Sequence, residues 1–192
     1  MEWDDFFVEK LQTSADGFIK QARDTPVEHR FETPQNDKSV ARIVYHMLYY
    51  EREIALPGAN RLLQGGPGTD DETILAAEDE HWEREGSAMT YDAMLDAFQR
   101  ARAEYIVLAP RLAPLWNAPC VPDVEHPGMI THTARLETLK TVNHTLKQEN
   151  DLLFRGIRLA LLRESRPYPS AAAAAAADED EGGDDEDDAP DE

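Results

Sequence analysis

Four stretches of this chain repeat apolar residues every three to four positions, and none sustains the period-two alternation of a half-buried strand. The first carries Trp3, Phe7, Leu11, Ser14, Phe18 and Ala22 along one face and closes at Pro26. The second, "SVARIVYHMLYYERE", places Val40, Ile43, Met47, Tyr50 and Ile54 together, with Asp37 or Ser39 as N-cap and Pro57-Gly58 ending its regular part. Thr90 caps the third, which keeps Met94, Phe98, Ala101, Tyr105, Leu108 and Leu112 in register until Pro110 and Pro114 end or bend it. The fourth runs from about residue 133 to 163, with Leu136, Leu139, Leu146, Leu153, Ile157 and Leu161 on its apolar face. Four such helices, with long loops after the second and third, predict an all-α antiparallel four-helix bundle.

That bundle occupies residues 1–166. Beyond it, "RPYPSAAAAAAADEDEGGDDEDDAPDE" has almost no large apolar side chains, and the segment 167–192 is expected to be a disordered Ala-rich and acidic tail. The net charge of −20 is concentrated there: residues 178–192 hold 11 acids and no base, which leaves about −9 on the rest. No basic patch is available for a phosphate backbone, so nucleic acid is not an expected partner. The tail reads as a solubility segment or as a docking site for a basic protein. The single cysteine, Cys120, excludes an intrachain disulfide. "MEWDDFFVEK" lacks the order of a signal peptide, and no apolar run approaches the roughly 20 residues of a membrane span, so a soluble cytoplasmic protein is expected.

His46 stands at the edge of the second helix's apolar stripe, with Tyr50 one turn on. It is either a metal ligand, with partners among His144, Glu149, His81 and His132, or an interface histidine hydrogen-bonded to Tyr or Glu. The fourth helix offers His144 in "TVNHTLKQENDLLFRG", with Gln148 four residues later. Helical steps place His144 about 140° from the centre set by Leu139, Leu146, Leu153 and Ile157, towards the outer face, whereas Asn143 and Asn150 lie much nearer that centre. His126 and His132 form no metal motif, and Cys120, flanked by prolines, has no basic neighbour to activate it. Glu51 and Glu53 do not face one another on a helix and are not an acid–base pair.

The layout resembles the DinB-like (YfiT-type) four-helix bundle superfamily, which includes thiol S-transferases and colibactin self-protection proteins. The match lies in "SVARIVYHMLYYERE" and in "ILAAEDEHWEREGSAMTYDAMLDAFQRARAEYIVLAPRL", an acidic, Trp-containing passage into the third helix, and it covers residues 1 to 163. The resemblance implies a divalent metal, zinc or nickel, held by one histidine of the second helix and an H-x-x-x-H pair of the fourth, leaving a position open for water or a thiolate. His46 matches the first of these places; on the fourth helix the other two fall on His144 and Gln148 or, in an alignment one residue different, on Thr145 and Glu149. A low-molecular-weight thiol as cofactor, a small-molecule substrate, a pocket at the bundle mouth bordered by Tyr50 and Trp82, and a homodimer are implied in the same way. The resemblance points to a metal-dependent thiol transferase or protective enzyme with a diverged site, or to a metal-free binding or sequestration protein on the same scaffold. An interaction protein using its acidic tail is the third reading.

Overall fold

The computed structural model describes residues 3–33, 38–66, 71–115 and 134–164. Every regular element among them is helical, and none is long and apolar enough to cross a membrane. The order is α1 (Trp3–Asp24), α2 (Val40–Tyr49), a π-helical segment (Tyr50–Ala55), α3 (Leu56–Leu63), α4 (Asp71–Ala76), α5 (Glu78–Arg84), α6 (Tyr91–Leu112) and α7 (Ala134–Glu164), with short 3₁₀ turns between some of them. Two compact units, Met1–Gly156 and Ile157–Glu192, divide the chain. The tail lies outside the described residues, as do Cys120, His126 and His132.

Helix starts follow the side chains that cap them. Ser39 Oγ accepts from the Arg42 amide at 3.1 Å and Thr90 Oγ1 from the Ala93 amide at 3.2 Å, each satisfying a donor that the first turn leaves over. The second helix does not end at Pro57. A π-turn, in which the Leu56 amide reaches back to the Glu51 carbonyl, resets the register, and the helix restarts with Pro57 in its first turn, where no N–H is needed. It then runs to Leu63 and stops at Gly65, whose φ of 77° closes the end. The connection expected to be a long loop therefore carries α3, α4 and α5.

α6 packs against α1, α2 and α3. Its stripe of Met94, Phe98, Ala101, Tyr105 and Leu112 is buried, as are Phe7, Leu11, Ser14, Phe18 and Ala22 of α1. Phe18 and Phe98 meet edge to face at 5.2 Å. α2 is buried nearly all round, from Val40 to Tyr49, with only His46 partly exposed. Tyr45 packs on Trp82 of α5 at 5.3 Å, and Gly86 is the residue that permits it: a Cβ there would stand 2.5 Å from the indole and 2.7 Å from the Tyr45 ring.

α7 departs from its sequence pattern. Leu146, Leu153 and Ile157, expected in the core, are 41 %, 41 % and 48 % exposed. The buried face is instead Ala134, Thr138, Thr141, Val142, Thr145 and Leu152. That face meets buried polar groups: the hydroxyls of Tyr50 and Tyr105, and Arg102 of α6, itself only 2 % exposed, which needs acceptors. Its Nε donates to Glu51 Oε1 at 3.0 Å and its Nη2 to the same oxygen, while Nη1 donates to the Leu11 carbonyl at 2.9 Å and to Ser14 Oγ at 3.3 Å. Nη2 also donates to Thr145 Oγ1 at 2.7 Å. Thr138, Thr141 and Thr145 each donate to the carbonyl four residues back, which leaves their oxygens free to accept across the interface. A leucine face could not have met a buried guanidinium.

Glu51 and Arg102 form a fully buried pair, so removing one partner leaves the other charged and uncompensated. Arg102→Met is expected to lower unfolding stability by about 3–5 kcal/mol in urea titration, and adding Glu51→Gln is expected to restore part of that loss. A loss below about 1 kcal/mol would show that the pair is not holding these helices together.

Candidate functional site

His46 projects from α2 towards two neighbours. Its Nδ1 lies 2.7 Å from Glu78 Oε2 on α5, and its Nε2 lies 2.9 Å from His144 Nε2 on α7. Helix register thus brings His46 and His144 nose to nose, correcting the expectation that His144 faces outward. That expectation took the leucine stripe as the buried face. With the threonine face turned inward, His144 sits at its edge. Tyr50 stacks on the His144 ring at 4.2 Å and 18° between planes.

Hydrogen bonding limits where the protons can sit. Glu78 accepts from His46 Nδ1–H, so in a neutral His46 the Nε2 is the acceptor and His144 Nε2–H donates to it. Burial, reinforced by the charges of His46, Lys147 and Arg102 against the pull of Glu78, depresses His144 to a pKa of about 3 and keeps its imidazole neutral at pH 7. Burial opposes ionisation of Glu78, but the hydrogen bond and charge of His46 with Lys38 and Arg42 outweigh it and hold the carboxyl below its ordinary range. Arg42 Nη2 stands 3.4 Å from Glu78 Oε1 and also pairs with Asp79, while its guanidinium lies over Trp82 at 5.0 Å. The carboxylate that orients His46 is therefore clamped in its turn.

A polar layer continues below the pair. The Tyr50 hydroxyl bonds Thr141, and burial with Asp71, Glu137 and Glu51 nearby raises its pKa so that it stays protonated. Tyr105, hydrogen-bonded to Thr138 at 3.3 Å, is pushed to about 12 by burial. Lys140 Nζ reaches Asp71 Oδ2 at 2.7 Å and ties α7 to α4, which the Tyr49 hydroxyl anchors through the Ile74 carbonyl at 2.9 Å.

The remaining candidates are dispersed. His81 meets the Tyr49 ring edge-on at 5.0 Å and contacts the Arg84 guanidinium. Glu149 lies against α1, where a Cβ on Gly17 would touch its carboxylate. Trp82 is half-buried against Tyr45 and Arg42, whereas Tyr50 is enclosed at 4 % exposure. A shallow depression on α5 is lined by Asp79, Glu80, Glu83 and Arg84 and includes neither aromatic. Glu78, the partner of His46, went unrecognised in the sequence because it sits in a run of acids, Glu78 to Glu80, that reads as a solvated face.

Among the described residues two imidazole nitrogens converge, Gln148 stands one helical turn beyond His144, and no group of three or more His, Cys, Asp or Glu could hold a metal ion. What the residues supply is a carboxylate-oriented imidazole facing a second, neutral one. Such a pair can share one proton between its Nε2 atoms or offer both as two ligands of a larger set. No protein-family model, curated protein or solved structure matches the chain.

Because His144 is held far below its ordinary value of 6.5, the unfolded chain binds the extra proton first and stability rises with pH between about 3 and 6.5. Urea titrations at pH 7.0 and 5.0 are expected to show wild type losing stability on acidification, within a window where Glu78 is still ionised. His144→Gln is expected to flatten that dependence. An unchanged pH profile in the variant would mean that His144 is not held neutral by its surroundings.

Proposed function

We propose that this chain is a DinB-like four-helix bundle protein that handles a small molecule at the His46–His144 pair, with a divalent metal, zinc or nickel, taking those two nitrogens as ligands. The observation that carries this reading is the convergence of the two Nε2 atoms at 2.9 Å with the far nitrogen of His46 anchored by Glu78, the arrangement in which metal-binding histidines are oriented by a carboxylate. Depression of the His144 pKa agrees with this reading, since a metal takes a neutral imidazole, here with its proton moved from Nε2 to Nδ1.

In this reading each residue has a stated task. Glu78 holds His46 in the tautomer whose Nε2 is free, Arg42 and Lys38 keep Glu78 ionised, and Tyr50 covers one face of His144 against water. The buried Glu51–Arg102 pair fixes the π-turn from which Tyr50 projects. A bound metal would supply a low-pKa water or a thiolate from a low-molecular-weight thiol as nucleophile. The transferase or protective-enzyme reading rests on that chemistry.

A second reading has its own support. The two nitrogens are close enough to satisfy one another through a shared proton, and the third ligand place holds Gln148 rather than histidine. On this reading the scaffold binds a small molecule without a metal. Metal analysis of the untagged protein after incubation with zinc or nickel separates the two. The metal reading predicts near-stoichiometric metal, lost in His46→Ala and in His144→Ala. Wild type that retains no more metal than the two variants rejects it in favour of the metal-free protein.

A further inference from the structure

The two imidazoles sit on helices that do not part cheaply. α2 is buried from Val40 to Tyr49 except at His46, and Thr145 of α7 holds the Arg102 guanidinium. α4 and α5 are built differently. No side chain of α4 is buried, and α5 buries only Glu78. Ile74, Leu75 and Trp82 rest on the core while still partly exposed. At six and seven residues, both helices are shorter than the roughly 12 residues at which a helix begins to hold in water without support.

Polar contacts fasten these two helices, and they reach both members of the imidazole pair. Lys140 Nζ of α7, one turn before His144, holds Asp71 Oδ2 at 2.7 Å. On α2 the Tyr49 hydroxyl donates to the Ile74 carbonyl at 2.9 Å, Arg42 pairs with Glu78 and Asp79, and His46 Nδ1 donates to Glu78 Oε2 at 2.7 Å. Arg52 Nη1 of the π-turn donates to Glu85 Oε1 at 2.9 Å. Residues 71–85 are thus a strap, tied to α7 at its start and to α2 along its length. With the strap in place the His46 side chain is 13 % exposed and Tyr50 is 4 % exposed, so a molecule larger than water reaches the Nε2 atoms only after an element moves. Lifting the strap breaks hydrogen bonds and ion pairs that water can replace. Parting α2 from α7 would instead strip a buried guanidinium of an acceptor.

We propose that α4 and α5 are a releasable strap: residues 71–85 come away from α2 and α7 as one unit, by local unfolding, and so admit a small molecule to the His46–His144 pair. Release withdraws Glu78 from His46, and reclosing over a ligand restores the carboxylate that orients the imidazole. The entry role rests on the reading that the pair handles a small molecule; the opening itself does not.

Hydrogen–deuterium exchange of the full chain, with diethyl pyrocarbonate as a probe of imidazole access in parallel samples, reads both parts by peptide mass spectrometry. The protected amides of residues 71–85 are expected to exchange at least about tenfold faster than those of α2 and α6, as a separate low-stability unit does. Tyr49→Phe removes one hydrogen bond to α4, and Lys140→Gln one ion pair. Tyr49→Phe should speed exchange about two- to tenfold, and Lys140→Gln should act in the same direction. Release as one unit requires that each speed α4 and α5 alike. Modification of His46 and His144 should rise in the same proportion, and that of His29, outside the strap, should not. Exchange of residues 71–85 in step with α2 and α6 would overturn the proposal, as would an α5 indifferent to both substitutions. Faster exchange with unchanged modification of His46 and His144 would overturn the entry role. Neither readout uses a metal, so a chain that takes up no zinc or nickel rejects the metal reading and not the strap.

Discussion

One buried guanidinium organises this molecule. Arg102 is held in the interior by acceptors from four directions: the Leu11 carbonyl and Ser14 hydroxyl of α1, the Glu51 carboxylate of the π-turn, and the Thr145 hydroxyl of α7. A charge of this kind tolerates no substitute by hydrophobic contact, because each donor left unpaired in the interior costs free energy comparable to a lost hydrogen bond. The helices around it must therefore present oxygen where a leucine would otherwise pack. On α7 that oxygen is Thr145 Oγ1, and beside it Thr138 and Thr141 meet the hydroxyls of Tyr105 and Tyr50, so the threonine face of α7 lies inward.

That orientation is what makes the candidate site. With Thr138, Thr141 and Thr145 turned inward, His144 comes to the edge of the interface and meets His46 of α2, while the π-turn that carries Glu51 also projects Tyr50 onto the His144 ring. A π-turn adds one residue to the helical register, so it re-aims every side chain beyond it and lets Pro57 fall at a fresh helix start. The ion pair, the threonine face, the π-turn and the imidazole pair are consequences of one another rather than separate features.

The stripes of α1, α2 and α6 were legible in the sequence because apolar burial alone sets their register, and the caps Ser39 and Thr90 stand where the side chains announce them. α7 was not, because periodicity counts leucines and is blind to a buried charge on a neighbouring helix. The signal was nevertheless present: Arg102 stands four residues after Phe98 and three before Tyr105, within the buried stripe of α6 rather than beside it. A charge in that place calls for an opposite charge and hydroxyls, and Glu51, next to Tyr50 on the second helix, is the carboxylate that answers it. His46 and His144 were named from the sequence, but their meeting depended on the rotation of α7. Glu78 was hidden by its acidic neighbours.

His46 and His144 form one hydrogen-bonded unit oriented by Glu78. Nitrogen-15 NMR of the imidazole rings, followed from pH 7 to pH 5, tests it most directly. His46 is expected to keep its Nδ1 proton and His144 to stay neutral throughout, and His144→Ala is expected to shift the His46 Nε2 resonance. A His144 ring that titrates near its ordinary value of 6.5, with His46 indifferent to its removal, would mean that the two imidazoles do not form such a unit.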